Sequence, residues 1–412
     1  MSREMKDSGI EWIGQIPQHW IALPNKHLMK KLKMIPSRYN NEPILSLTMD
    51  GVIVRDLDAG GKMPASFDGY QKISKGNLLM CLFDIDVTPR CIGLIKQDGV
   101  TSPAYSQFVL NAGNYAPYYY YLYLYLDNDK LLLPLAKNLR HSLTEDVLGE
   151  IPMIQPPLSE QQSIANYLDF KCSQIDLLSA NIKQQIEKLG EYRKALITQA
   201  VTKGLDPDVE IKDSGIELIG SIPKHWTTPS MKRLITFKAG KNLTSEEIDS
   251  VGKYPVYGGN GLRGYFDRFN ISGTNILVGR QGALAGNIHL TSGDLWATDH
   301  ALVSSFHQDA NKTYVFYLLA TMNLNRYATN TAAQPGLAAS FIENLKIPLA
   351  PLEEQMRIAD YLDSQCSQID SIIKTKNEAL SMLLDYKKSL IFDYVTGKRE
   401  VPDPYRKDGS HE

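Results

Sequence analysis

Three stretches of the chain carry residue types that could do chemistry. Pro207-Asp208-Val209-Glu210-Ile211-Lys212 holds the Pro-Asp and Glu-x-Lys pairs of a metal-dependent nuclease site. Such a site needs its carboxylates projected from a sheet, with a longer gap between its two elements, so the stretch reads as a linker. Gly259-Asn260-Gly261-Leu262-Arg263-Gly264 matches Gly-x-Gly-x-x-Gly. A dinucleotide site also needs a helix after the glycines and an acidic residue about 20 positions on. Tyr265-Phe266-Asp267-Arg268-Phe269-Asn270 offers no helical face, so the glycines read as a loop that turns tightly and lets a partner approach closely.

The third stretch is a basic cluster that occurs twice. Lys26, Lys30, Lys31, Lys33 and Arg38 lie together, and Lys232, Arg233, Lys238 and Lys241 lie at the corresponding place about 200 residues later. One such cluster is a solvated face as readily as a phosphate contact; recurrence favours phosphate. The net charge of −2 weighs mildly the other way. No Asn-Pro-Pro-Tyr methyl-transfer motif, Walker A sequence, His-Glu-x-x-His spacing or Cys-x-x-Cys pair is present. His289, His300 and His307 read as core or turn residues, no nucleophile stands out, and the chain reads as non-catalytic.

At 412 residues the chain is long enough for two or three domains, each with its own core. It has no run of 18 apolar residues, so no membrane span is expected. Four cysteines give no disulfide framework. The polar N-terminus argues against export, and a reducing cytoplasmic compartment is expected.

What must position these residues is a duplicated unit. Lys6-Asp7-Ser8-Gly9-Ile10-Glu11, running on to Pro17-Gln18-His19-Trp20, returns as Lys212-Asp213-Ser214-Gly215-Ile216-Glu217, running on to Pro223-Lys224-His225-Trp226. Asn166-Tyr167-Leu168-Asp169 and Cys172-Ser173-Gln174-Ile175-Asp176 return as Asp360-Tyr361-Leu362-Asp363 and Cys366-Ser367-Gln368-Ile369-Asp370. A period of about 200 residues is too long for a solenoid, so a whole domain plus a helix is repeated. Each repeat has a mixed region, from about Ile21 to Glu150 and from about Thr227 to Asn344, where short apolar runs alternate with Gly, Asn and Asp turns, as in a strand-rich α/β domain. Tyr118 to Leu126 could be a strand by alternation. Its counterpart, Tyr314 to Met322, reads better as a buried helix, and helix is expected for both.

Long helices follow, from about Leu158 to Thr202 and from about Leu352 to Thr396. Leu168, Ile175, Ile182, Leu189 and Leu196 recur every seven residues; Leu362, Ile369, Leu383 and Leu390 do the same, with Lys376 breaking the seam. A ladder this long predicts a coiled coil about 68 Å in length. The short linker from Lys203 to Ile211 predicts antiparallel helices, with the two mixed regions at opposite ends of a rod and a pseudo-twofold axis across its middle. Cys172 and Cys366 would then be too far apart to bridge.

The duplicated opening, together with Pro157-Leu158-Ser159-Glu160-Gln161 and Pro351-Leu352-Glu353-Glu354-Gln355 at the helix entries, closely resembles the specificity subunit of type I restriction–modification enzymes. Ser102-Pro103-Ala104-Tyr105 after Asp98-Gly99-Val100, the Gly-Gly-Asn-Gly loop and Gly279-Arg280-Gln281-Gly282 also resemble stretches of such subunits. The resemblance implies two pseudo-twofold-related α/β target-recognition domains on a long antiparallel two-helix coiled coil. The implied boundaries are 1–150 for the first domain, 151–205 for its helix, 206–345 for the second domain, 346–400 for its helix and 401–412 for a tail.

It also implies a non-catalytic subunit that recognises a bipartite, asymmetric site in double-stranded DNA. Two DNA methyltransferase subunits would bind its helices, and two restriction translocase–nuclease subunits would join them. No cofactor is expected on this chain; S-adenosylmethionine, ATP and Mg would belong to the partners. Phosphate contacts come from Lys and Arg, and bases are read by Arg, Asn, Gln, Ser or Thr on loops. The expected DNA-binding residues are Lys31, Lys33, Arg38, Arg55, Arg90 and Ser102 in the first domain. In the second they are Lys241, Asn260, Arg263, Tyr265, Arg280 and Gln281. Gln161, Gln162, Asn166 and Gln174 are expected as exposed partner contacts on the first helix. A stand-alone methyltransferase or nuclease would need a cofactor-binding fold, and the sequence places none in either unit. A scaffold joining two protein-binding domains would protect no DNA.

Overall fold

The computed structural model describes residues 3–58, 64, 66–136, 141–217, 219–282, 285–327 and 336–402. The chain forms two compact units: Met1–Ile182 with Glu378–Glu412, and Lys183–Asn377. Six α-helices are described: α1 (Ala116–Asn128), α2 (Glu145–Glu150), α3 (Leu158–Lys203), α4 (Lys312–Thr321), α5 (Ala339–Asn344) and α6 (Leu352–Val395). Each long helix contributes one half to each unit.

The first unit is built on an antiparallel sheet with the order Met29–Leu32, Ser106–Leu110, Leu78–Met80, Ile92–Leu94. The second repeats that order with Ile235–Ala239, Ala301–Phe306, Asn275–Gly279 and Ile288–Thr291. Beside each sheet stands a β-hairpin. Leu45–Thr48 pairs with Gly51–Val54 in the first unit, and Tyr254–Gly258 pairs with Gly261–Phe266 in the second. The two hairpins are tied in the same way. A parallel bridge joins Ile44 to Val100 in one unit, and Val256 runs parallel to Trp296 in the other.

The tyrosine-rich stretch is the helix α1, and its counterpart is α4. α1 is apolar all round because it is buried all round. Several of its hydroxyls nonetheless find partners, as buried phenols should, although the buried Tyr123 hydroxyl has none among the described residues. Tyr118 donates to the Val395 carbonyl at 2.7 Å, Tyr121 to Asp169 Oδ1 at 2.7 Å, and Tyr125 to the Trp12 carbonyl at 2.8 Å. In the second unit Tyr317 donates to Asp363 Oδ1 at 2.8 Å.

Within each unit the helix halves run antiparallel. In the first unit Ile164, Leu168, Cys172 and Ile175 share a core with Leu390, Ile391, Tyr394 and Val395, and Lys387 pairs with Asp176 at 2.6 Å. In the second unit Ile197, Ala200 and Val201 share a core with Ile358, Ala359, Leu362 and Cys366, and Arg193 pairs with Asp370 at 3.1 Å. The seam break has a partner of its own, since Lys376 Nζ donates to Gln185 Oε1 at 2.6 Å. Ladder residues near the globular parts, such as Leu168 and Leu362, are fully buried, whereas Ile182, Leu189 and Leu383 are half-buried. All four cysteines are free, and Cys172 and Cys366 lie in the cores of different units. Among the described residues no helix is long and apolar enough to cross a membrane.

Candidate nucleic-acid interface

The duplicated sequence motifs turn out to be the anchor between each globular part and its helix entry. Trp20 is fully buried, and its Nε1 donates to Glu160 Oε2 at 3.1 Å. His19 and Arg3 bond the same carboxylate. In the second unit Trp226 Nε1 donates to Glu354 Oε2 at 3.0 Å, and His225 Nε2 lies 2.8 Å from the same oxygen. Partial burial by itself would raise the pKa of Glu160. The hydrogen bonds from His19, Arg3 and Trp20 together outweigh burial and hold the carboxyl below the ordinary glutamate range.

The glutamine that follows each anchor glutamate is structural, which corrects one expectation. Gln161 is wholly buried. Its Oε1 accepts the Tyr115 N–H at 2.7 Å, and its Nε2 donates to the Pro156 and Gly113 carbonyls at 2.8 and 3.2 Å. Gln355 repeats the arrangement, accepting from Asn311 N at 3.0 Å and donating to the Ala350 carbonyl at 2.8 Å. Gln161 therefore cannot present an exposed partner contact. Gln162, Asn166 and Gln174 are exposed on α3, beside the large apolar side chains Phe170, Leu177 and Leu178.

In the first unit the expected DNA contacts have unlike surroundings. Lys33 and Arg38 are exposed. Lys31 is ion-paired with Glu145, so a phosphate would have to displace a carboxylate. Arg55 is half-buried directly after the hairpin. Ser102 is held in a turn, its Oγ accepting the Ala104 N–H and its carbonyl accepting Gln71 Nε2. Arg90 is half-buried, with Nε and Nη1 enclosed and without a hydrogen-bond partner among the described residues.

The second unit brings three expected residues together. Asn260, Arg263 and Gln281 line an open concavity of about 440 Å³, with Gly259, Gly261, Leu262, Gly282 and His300. Gly259-Asn260 is the two-residue turn of the hairpin, so the glycine-rich loop is a hairpin tip. The glycines let it close over its neighbours. A Cβ on Gly259 would sit 3.0 Å from the His300 carbonyl, and one on Gly261, at φ +94°, would sit 3.0 Å from the His289 ring. Arg263 Nη2 donates to Ser245 Oγ at 3.1 Å, and Asn260 Oδ1 accepts Asn287 Nδ2 at 3.2 Å. Lys241 is exposed outside the concavity, Tyr265 is half-buried against the Asp249 backbone, and Arg280 is pinned by its N–H to the His300 carbonyl. Burial pulls the His289 imidazole below the ordinary histidine value. His300, which the sequence places among core or turn residues, also lines the concavity.

The nuclease-like stretch is structural. Glu210 pairs with Lys224 at 2.8 Å, and Lys212 Nζ donates to the Trp226 carbonyl at 2.6 Å.

Comparison with known proteins bears on this arrangement. Residues 223–382 match the family model of the type I restriction modification DNA specificity domain. The EcoprrI specificity subunit of Escherichia coli is 37% identical over 147 residues, covering 35% of this chain and 36% of that protein. The MjaVIII specificity subunit of Methanocaldococcus jannaschii is 29% identical over 279 residues, covering 61% of this chain and 62% of that protein. The chain thus spans less than two thirds of the length of either relative. A solved chain from a study of complex assembly and conformational transition in the type I R-M system has the same fold. Its TM-score is 0.70 at 12% identity, with 93% of this chain and 99% of that one covered. On these matches residues 223–382 carry a type I restriction modification DNA specificity domain, and the chain as a whole is similar to type I restriction enzyme specificity subunits.

Proposed function

We propose that the chain is the DNA sequence-specificity subunit of a type I restriction–modification complex and is itself non-catalytic. Each unit reads one half of a bipartite, asymmetric target in double-stranded DNA. Two methyltransferase subunits dock on the exposed faces of the long helices, and two restriction translocase–nuclease subunits join them. S-adenosylmethionine, ATP and Mg act in those partners, in the cytoplasm. One observation carries the reading: the same sheet, hairpin and tryptophan–glutamate anchor occur twice, while the exposed side chains on the two hairpins differ. Equivalent scaffolds with unlike faces suit a target of two unlike halves.

The test mixes the purified chain with its methyltransferase subunit and S-adenosylmethionine on a randomised duplex library, then sequences the methylated positions. Methylation confined to one two-part sequence, and none by the chain alone, is the expected result. Site-specific methylation or cleavage by the isolated chain would refute the adaptor role.

A further inference from the structure

Each unit presents one β-hairpin whose position is the same and whose exposed chemistry is not. Both hairpins turn through two residues, Met49-Asp50 and Gly259-Asn260, and both follow the turn with a left-handed glycine, Gly51 at φ +95° and Gly261 at φ +94°. Each is tied by a parallel bridge, just before its first strand at Ile44 and within it at Val256, so the two occupy corresponding places beside corresponding sheets. Each is held from beneath by a small core of its own. Leu45 and Val52 pack with Ile73, Leu79 and Ile95; Val256 and Phe266 pack with Leu243 and Trp296. What remains outside differs. On the first hairpin Met49 is 58%, Val54 51% and Ile53 42% exposed, large apolar side chains left in water beside the half-buried Thr48 and the exposed turn residue Asp50. On the second the exposed residues are Asn260, Leu262 and Arg263. Cations flank the second hairpin at its base: Lys253 lies 4.9 Å over the Tyr254 ring and Arg268 5.1 Å over the Phe266 ring, with Asp267 partly offsetting Arg268.

A two-stranded ribbon fits the major groove of B-form DNA, and cations at its base suit the phosphates on either side. Methyl-bearing side chains recognise the thymine C5-methyl, whereas Asn and Arg bond the adenine and guanine edges. Resting on the specificity role above, we propose that these two hairpins are the base-reading elements and enter the major groove. Thr48, Met49 and Ile53 read thymine methyl groups in one half-site. Asn260 and Arg263 read purine edges in the other.

The experiment uses the full chain assembled with its methyltransferase partner on a randomised duplex library, with bound duplexes sequenced. Met49→Ala with Ile53→Ser is expected to relax one half-site alone. Asn260→Ala with Arg263→Ala is expected to relax the other alone, its preferred bases losing about 5- to 150-fold in preference. The half-site left intact in each variant reports that the chain is folded. On the selected duplex, uracil in place of thymine should weaken binding only in the first half-site, and 7-deazapurines only in the second. If the wild-type complex selects a two-part sequence and either variant selects the same one unchanged, the hairpin assignment is overturned while the specificity role stands. If the wild-type complex selects no sequence, both fall.

Discussion

Truncating Gln161 separates a structural role from a partner contact. In Gln161→Ala the Tyr115 N–H loses its side-chain acceptor and the buried Pro156 carbonyl loses its donor. The Gly113 carbonyl, at 3.2 Å on an exposed residue, can turn to water. Two enclosed groups at about 1–3 kcal/mol each give a destabilisation of about 2–4 kcal/mol after partial relaxation. Gln355→Ala strips an equivalent pair of groups in the second unit and should destabilise that unit by a similar amount. Because a chain with two units need not unfold in one step, hydrogen exchange with mass spectrometry is the suitable assay, reading peptides from α1 and α4 separately. Gln161→Ala should speed exchange through α1 and leave α4 unchanged, with undiminished methyltransferase affinity in the folded fraction. Unchanged exchange together with a tenfold weaker association would refute the structural assignment.

Further outcomes follow from the anchors and the exposed helix face. Because hydrogen bonds hold the Glu160 carboxyl below its usual 4.5, its contribution to stability is complete above that value and is lost as pH falls through the lower folded value. An acid titration of unit-1 stability should therefore show a steeper loss below about pH 4.5 for the wild type than for Glu160→Gln. Gly397→Ala would place a methyl 2.6 Å from Pro17 and 2.8 Å from Trp20 at φ +71°, and should lower the thermal midpoint of the first unit by several degrees. Phe170→Ser with Leu177→Ser removes side chains that are 57% and 72% exposed. Stability should shift by no more than about 0.5 kcal/mol per site. Methyltransferase association, followed by calorimetry, should weaken about tenfold or more; an unchanged affinity would remove this face from the docking surface.

The repeat, the helix entries at Leu158 and Leu352 and the antiparallel packing within each unit were legible because they rest on local signals: identical words, apolar ladders and a short linker. Which polar side chains face outward was not. Gln161 and Gln162 are adjacent and chemically identical, yet one is sealed in by backbone groups as many as 48 residues away and the other is exposed. Lys31 looked free because its carboxylate partner, Glu145, lies 114 residues further on. The hairpins were hidden for another reason. Their strands are short and their exposed faces share no sequence, so the equivalence of Met49-Asp50 with Gly259-Asn260 emerges only from common bridge partners.

The twin sockets formed by Glu160 and Glu354 have a consequence for gene exchange. A globular part spliced out between its Lys-Asp-Ser-Gly opening and the next Pro-Leu-x-Glu-Gln would carry its own indole to the new location. There it would meet a carboxylate on the same turn of helix as the one it left. Recombination at these two repeated words would therefore move or duplicate a globular part while keeping its indole–carboxylate anchor intact.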